Sequence, residues 1–305
     1  MAGRPDGAIA VGMSGQDSSL FDRPLVRRRL ARALAGPFPN FLVERAAGEL
    51  AERLLTVTRT FPRALDLGTP NGAAAEILSR HEAVGEVVRL APIAAGGATV
   101  IGDEEALPFG SGRFQLAVSL LSLQGVNDLP GSLVQIRRVL APDGLFLACL
   151  LAGETLRELR ASFAEAEAEL EGGISPRVAP FADIRALGSL LQRAGFALPV
   201  VDLDRVVVRY GSPFALLADL RAMGLGNALI ERRRAPLRRA TLMRAVSIYA
   251  GRFADPDGRV RATFDLAWLS GWAPHESQQT PLKPGSARAR LADALGVPEL
   301  GSIDL

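Results

Sequence analysis

The sequence has one cysteine, Cys149, and one lysine, Lys283, in 305 residues. A single thiol forms no intrachain disulfide. With only two histidines, the chain also lacks the Cys/His spacing of a structural metal site, and no metal is expected. Such sparse cysteine suits a reducing compartment. The near absence of lysine leaves a basic side made almost wholly of arginine, while the net charge is only +2. No dense basic stripe with interleaved aromatics occurs, so the arginine bias reads as GC-rich coding and no nucleic-acid partner is expected. No run of about 18 uncharged apolar residues is present, so no membrane-spanning helix is expected. The first twenty residues carry Gly, Ser, Asp and Pro and lack the apolar segment of a secretory signal. These absences give a cytoplasmic location as the expectation, with peripheral contact at a membrane left open.

What is present is a chain that is 48% hydrophobic and 22% charged, enough to bury a sizeable core in one elaborated α/β domain. Residues 1–20 read as a disordered tail and 21–60 as an N-terminal helical segment. Residues 61–287 read as the main domain, including a helical insertion at 213–255, and 288–305 as a C-terminal tail. Within 21–60, a short basic amphipathic helix is expected over 25–34 and a second helix over 41–57, where Leu42, Ala46, Leu50 and Leu54 recur at helical spacing.

From residue 64 onwards, strand and helix signals alternate. Short apolar strands are expected at 64–68, 86–90 and 98–101, a long buried one at 114–123, and another at 145–151. Helices are expected at 71–80 and 129–140, the latter stopped by the turn Pro142-Asp143-Gly144. Further helices are expected at 154–170, 181–194, 213–223 and 236–253, with strand material at 198–210. Residues 260–272 alternate with a period of two and read as a half-buried, antiparallel strand. The pattern predicts a doubly wound, mostly parallel sheet of seven strands with helices on both faces and a helical insertion before the last strand.

In such a sheet, ligands bind beyond the carboxyl ends of the strands, where the strand order reverses. Three segments fall there. Asp66-x-Gly68-x-x-x-Gly72 joins the first strand to its helix, and glycine in that loop allows close approach of bare backbone to a ligand. A generic strand-to-helix turn explains these residues equally well. Asp103 and Glu104 follow the third strand, where a carboxylate can accept from an adenine amino group; a solvated acidic loop is the plain alternative. Gln124 stands at the carboxyl end of the long central strand, where a substrate could lie. Asp128 reads as a helix N-cap.

The order and spacing of these segments resemble the class I S-adenosylmethionine (SAM)-dependent methyltransferases, a Rossmann-like fold. More narrowly they resemble the family of complex I assembly factor 5 and the biotin-synthesis carrier-protein methyltransferases. The resemblance rests on Phe21-Asp22-Arg23, Ala64-Leu65-Asp66-Leu67-Gly68, Asp103-Glu104-Glu105-x-Leu107-Pro108-Phe109, Val126-Asn127-Asp128-Leu129-Pro130 and Gly153-Glu154-Thr155-Leu156. It resumes at Gly271-Trp272, His275-Glu276-Ser277-Gln278 and Pro281, and so spans residues 21 to about 287. It implies SAM as cofactor, with Gly68 and Gly72 lining its methionine side, Asp103 and Glu104 near its adenine, residues 119–124 facing the reaction centre, and Asp66 and Ser119 counted among the cofactor-binding residues. Gln124 and His275 are the candidates to face substrate; no catalytic residue is assigned. The implied activity is SAM-dependent methyl transfer to a protein partner, including a complex I subunit. The eukaryotic assembly factor is understood to hydroxylate an arginine on this same fold, so arginine hydroxylation stands as an alternative. A non-catalytic assembly factor is another.

Three departures from the family pattern bear on the cofactor. Thr69-Pro70-Asn71 replaces the middle of the glycine loop, and Pro70 removes an N–H there. Leu90-Ala91-Pro92 stands where an acidic residue holds the ribose, and Gln124-Gly125 replaces a His-Trp pair. Each lost polar partner is worth about 1–3 kcal/mol, together several powers of ten in affinity. His275, beside Glu276, could transfer a proton or could be a hydrogen-bonded structural residue near Trp272.

Overall fold

The computed structural model describes residues 19–95 and 97–279. The readings made for the tails before 19 and after 279, Pro281 included, lie outside the described residues. Two helices precede the sheet, α1 (Arg23–Leu34) and α2 (Phe41–Leu55). The Asp22 carboxylate caps α1 by accepting from the Leu25 N–H at 3.0 Å, and Pro24 presets its first turn. Helix α2 buries Leu42, Val43, Ala46, Leu50 and Leu54, the stripe that its spacing predicts.

The sheet contains β1 (Phe61–Leu67), β2 (Val84–Ala91), β3 (Val100–Ile101), β4 (Phe114–Leu120), β5 (Leu140–Ala152), β6 (Ala197–Tyr210) and β7 (Val260–Trp272). Their spatial order is β3-β2-β1-β4-β5-β7-β6, with β7 antiparallel to both neighbours and every other pairing parallel. The order reverses between β1 and β4. Helices α3 (Ala73–Arg80), α4 (Leu129–Val139), α5 (Arg157–Glu171) and α6 (Ile184–Arg193) cover the faces. Helices α7 (Pro213–Ala222) and α8 (Arg239–Phe253) form the insertion between β6 and β7. One core layer holds Leu50, Leu78, Val118, Phe264 and Trp268, the other Leu67, Ile136, Phe146, Leu187 and Leu269. The chain divides into two units, one ending at Pro274 and one beginning at His275.

Three expectations are corrected. The central strand stops at Leu120 rather than 123, because Leu121 turns to φ +52° and residues 123–125 wind into a single 3-10 turn. Pro142-Asp143-Gly144 does not precede the fifth strand. The strand begins at Leu140 and absorbs these residues where its register against β4 shifts, with Asp143 at φ 59°. Strand β7 is buried along most of its length rather than half-buried. One face sends Phe264, Leu266 and Trp268 into one core layer, and the other sends Ala267 and Leu269 into the second, with Thr263 and Asp265 buried ahead of them.

Candidate functional site

Strand β1 carries Asp66 among the apolar residues Ala64, Leu65 and Leu67, and the Asp66 side chain is wholly buried. Its partner is Arg89 of β2, aligned beside it in the parallel ladder, with Nε 3.2 Å from the carboxylate and only 3% exposed. The guanidinium also donates to the Thr69 carbonyl at 2.6 Å and to the Ala95 carbonyl at 2.8 Å. Arg89 thus ties the loop after β1 to the loop after β2. Thr69 is buried too, its hydroxyl accepting from the Leu120 N–H at 3.2 Å. Burial pushes the Asp66 carboxyl up to about 6, against the opposing pull of Thr69 and Arg89.

The second group gathers at residues 103–105. Arg23, from the first turn of α1, reaches across the strand ends. It donates to the Asp103 carboxylate at 2.9 Å, to the Gly125 carbonyl at 2.9 Å, and to Glu104. Its Nε lies 3.7 Å from Glu105. Arg27, one turn on, bonds the other oxygen of Asp103. Glu104 is buried, and its second oxygen accepts from the Ser122 hydroxyl at 2.9 Å. The Asp103 carboxyl is held below its ordinary value by the Glu105 N–H, Arg23 and Arg27, which outweigh its burial.

The arm carrying Arg23 is pinned on both sides. The Phe21 N–H donates to the Asn127 side chain at 2.7 Å, and Asn127 returns a bond to the Phe21 carbonyl at 3.1 Å. The Asp22 N–H donates to the Ala228 carbonyl at 2.8 Å, and Arg232 pairs with the Asp22 carboxylate at 3.0 Å. Residues 20–23 therefore link the loop after β4 to the loop after α7.

Of the predicted site residues, Gly68, Asp103 and Glu104 come together. Gly68 takes φ +75°, and a Cβ added there would meet Ser122 Oγ at 2.3 Å and Glu104 Oε1 at 2.8 Å. Gly72 caps α3 in the left-handed region. Asp66 and Ser119 leave opposite faces of the sheet, since Leu65 pairs with Ala117 and Asp66 with Val118. Gln124 turns back onto the Leu121 carbonyl of its own loop at 2.8 Å. His275 lies in the second unit, where its exposed ring meets the Ser277 hydroxyl at 2.7 Å. A cleft of about 660 Å³ opens past β5 between Phe163, Ile174, Arg177 and Phe181, and none of the predicted residues lines it. Arg23, Arg27 and Arg89 escaped the sequence reading as site residues. For Arg89 the signal was an arginine inside the apolar run Val87-Val88-Arg89-Leu90.

The methyltransferase-domain family matches residues 41–199 of the chain. Arginine-hydroxylase NDUFAF5, mitochondrial, from Danio rerio is 39% identical over 95% of this chain and 94% of its own length. Its Homo sapiens counterpart is 39% identical over 94% and 84%. The chain belongs to the class I methyltransferase family that includes NDUFAF5. A malonyl-[acyl-carrier protein] O-methyltransferase of Halorhodospira halophila is 34% identical over 88% of the chain and 95% of its own length. In fold, the YcgJ protein from Bacillus subtilis matches with a TM-score of 0.52 at 13% identity, covering 76% of this chain and 99% of that one. The cytoplasmic expectation is corrected by these relatives: NDUFAF5 is named as mitochondrial, which points away from the cytoplasm. No helix among the described residues is long and apolar enough to cross a membrane.

The class I methyltransferase fold implies SAM, and the residues at the strand ends do not fit it. Bare backbone at Gly68 is faced by Ser122 and Glu104 rather than by open space. The end of β2 offers Leu90 and Ala91, both buried, where a ribose needs an acceptor. The acceptors at Asp103 and Glu104 already serve Arg23.

Asp66 gives this site a measurable pH signature. An acid whose pKa is higher folded than unfolded binds its proton more tightly in the folded chain. Its contribution to stability is therefore full below about pH 4 and is lost as pH rises through about 6. Relative to Asp66→Asn, the wild type is expected to lose on the order of 2–3 kcal/mol between pH 4 and pH 7. Urea unfolding of both proteins across that range measures this difference; a flat difference would show that Asp66 is ionised throughout.

Proposed function

We propose that this chain acts on a protein partner in the assembly of respiratory complex I, and that its target is an arginine side chain of that partner. Identity of 39% to proteins named arginine hydroxylases, over nearly the whole of both chains, supports the reading. The observation that carries it is chemical. At the carboxyl end of the sheet, where this fold conducts its chemistry, Asp103, Glu104 and the Gly125 carbonyl hold the guanidinium of the chain's own Arg23, which a partner's arginine would displace. Carboxylates in a planar array recognise arginine better than any other side chain, because its fork of donors matches them. On this reading the modification is hydroxylation, as the name of the relatives says of them: one atom of dioxygen enters the arginine and the other leaves as water, with two electrons drawn from an external reductant.

The test is co-expression of the chain with complex I subunits, followed by mass spectrometry of their arginine peptides. The expected result is a gain of one oxygen atom on an arginine, reduced at least tenfold by Asp103→Asn/Glu104→Gln. A methyl-sized gain would instead support the SAM-dependent transfer that the fold implies. Stable co-purification with unmodified arginines would support a scaffold.

A further inference from the structure

We infer that the place this fold reserves for a nucleoside is held by the chain's own Arg23, and that SAM is not its ligand. This goes beyond the proposed function, since it concerns what occupies the crevice whether or not a partner's arginine is modified.

Four observations converge. Asp103 and Glu104, the acceptors expected to meet adenine, are bonded to Arg23. The guanidinium is a flat donor like an aminopurine edge, but it is a cation, and Asp103, Glu104 and Glu105 present three carboxylates to it. The Gly125 carbonyl adds a neutral acceptor at 2.9 Å, so both terminal nitrogens are bonded. Arg27 adds a second cation on Asp103, so two of the three negative charges of the acidic loop are offset from within the chain.

The neighbourhood of Gly68 closes the remaining room. Ser122 Oγ and Glu104 Oε1 occupy the side of Gly68 on which a Cβ would project, at 2.3 and 2.8 Å from its position. They are held there, because Ser122 donates to Glu104 and Glu104 is bonded on its other oxygen to Arg23. Withdrawing Arg23 would release that chain of bonds. Arg89 meanwhile spends its donors on the Thr69 and Ala95 carbonyls, so the loop after β1 is filled from beneath by a cation and has no proline N–H to offer at position 70.

Arg23 is delivered by an arm bonded at Asn127 and Ala228, which makes its seat a built feature of the fold. The arrangement also explains why the loss of the ribose acceptor at Leu90-Ala91 is tolerated. With no nucleoside to hold, no carboxylate is needed there.

The test uses the full chain and an Arg23→Met variant, which keeps the apolar stem and removes the guanidinium. Wild type titrated calorimetrically with SAM is expected to give no saturable heat up to millimolar ligand. Thermal unfolding of Arg23→Met is expected to shift upward with millimolar methylguanidinium and to stay unmoved by SAM, while wild type responds to neither. Saturable SAM binding by wild type at micromolar strength overturns the inference, and does so even where the variant fails to fold. A folded variant stabilised by SAM, or by neither compound, overturns it as well, because the vacated seat is then not one for a guanidinium. Saturable SAM binding by wild type sinks this inference alone and leaves the proposed activity to mass spectrometry, whereas a folded variant indifferent to methylguanidinium counts against both.

Discussion

Replacing Arg89 by Met is expected to destabilise the protein by about 3–5 kcal/mol at pH 8, the usual consequence of leaving a buried ion without its partner. Asp66 is wholly buried and Arg89 is the cation beside it, at 3.2 Å. Without Arg89 the carboxyl must take up a proton or face a low-dielectric interior alone. The loop carbonyls of Thr69 and Ala95 lose their donor at the same time. The defect should be smaller at pH 5 than at pH 8, because a protonated Asp66 has less need of the cation. Adding Asp66→Asn to Arg89→Met should recover a substantial part of the loss. Urea unfolding of the two single variants and the double variant at both pH values measures the coupling. Equal losses at pH 5 and pH 8 would show that the pair is not what holds these loops together.

Gly68→Ala is expected to cost about 2–5 kcal/mol. The left-handed φ of +75° accounts for roughly 1–2 kcal/mol of that in any residue with a Cβ. Overpacking against Ser122 and Glu104 adds about 1–3 kcal/mol, since the new methyl group would sit within van der Waals radii of both. The second part tells a filled crevice from a vacant one. If the space beyond Gly68 were open to a ligand, only the backbone strain would remain. Ser122→Gly in the same chain should therefore return part of the overpacking loss, though Glu104 Oε1 at 2.8 Å still limits the recovery. Thermal and urea unfolding of Gly68→Ala, Ser122→Gly and the double variant decide between these cases.

The architecture was legible because its signals are local and repeated. The cap at Asp128, the apolar stripe of α2 and the order of strands and helices all depend on short-range spacing. The long insertion between β6 and β7 was visible for the same reason. The site was legible only in its acidic half. Asp103 and Glu104 announce themselves by position after β3, and Gly68 by position after β1. Their partner Arg23 lies 80 residues away from Asp103 along the chain, in a helix whose arginines all look alike in sequence. No feature of the local sequence distinguishes Arg23 and Arg27, which turn inward to carboxylates, from the other arginines of that helix. Arg89 was hidden differently: its strand reads as apolar, and only the tertiary pairing with Asp66 reveals why a charge is tolerated there. The end of the central strand was missed because Leu121 adopts a backbone conformation that leucine seldom takes.

The tether on the N-terminal arm sets the terms of any competition for the crevice. A group carried by the same chain and held close is present at an effective concentration of millimolar or more for short connections. Here the connection is a few residues bonded at both ends, at Asn127 and Ala228. A visiting side chain would see its apparent affinity reduced by the small fraction of molecules in which the arm is out. Selectivity would then come from whatever loosens Phe21 and Asp22, and a partner able to grasp those two residues would open the acidic loop while docking.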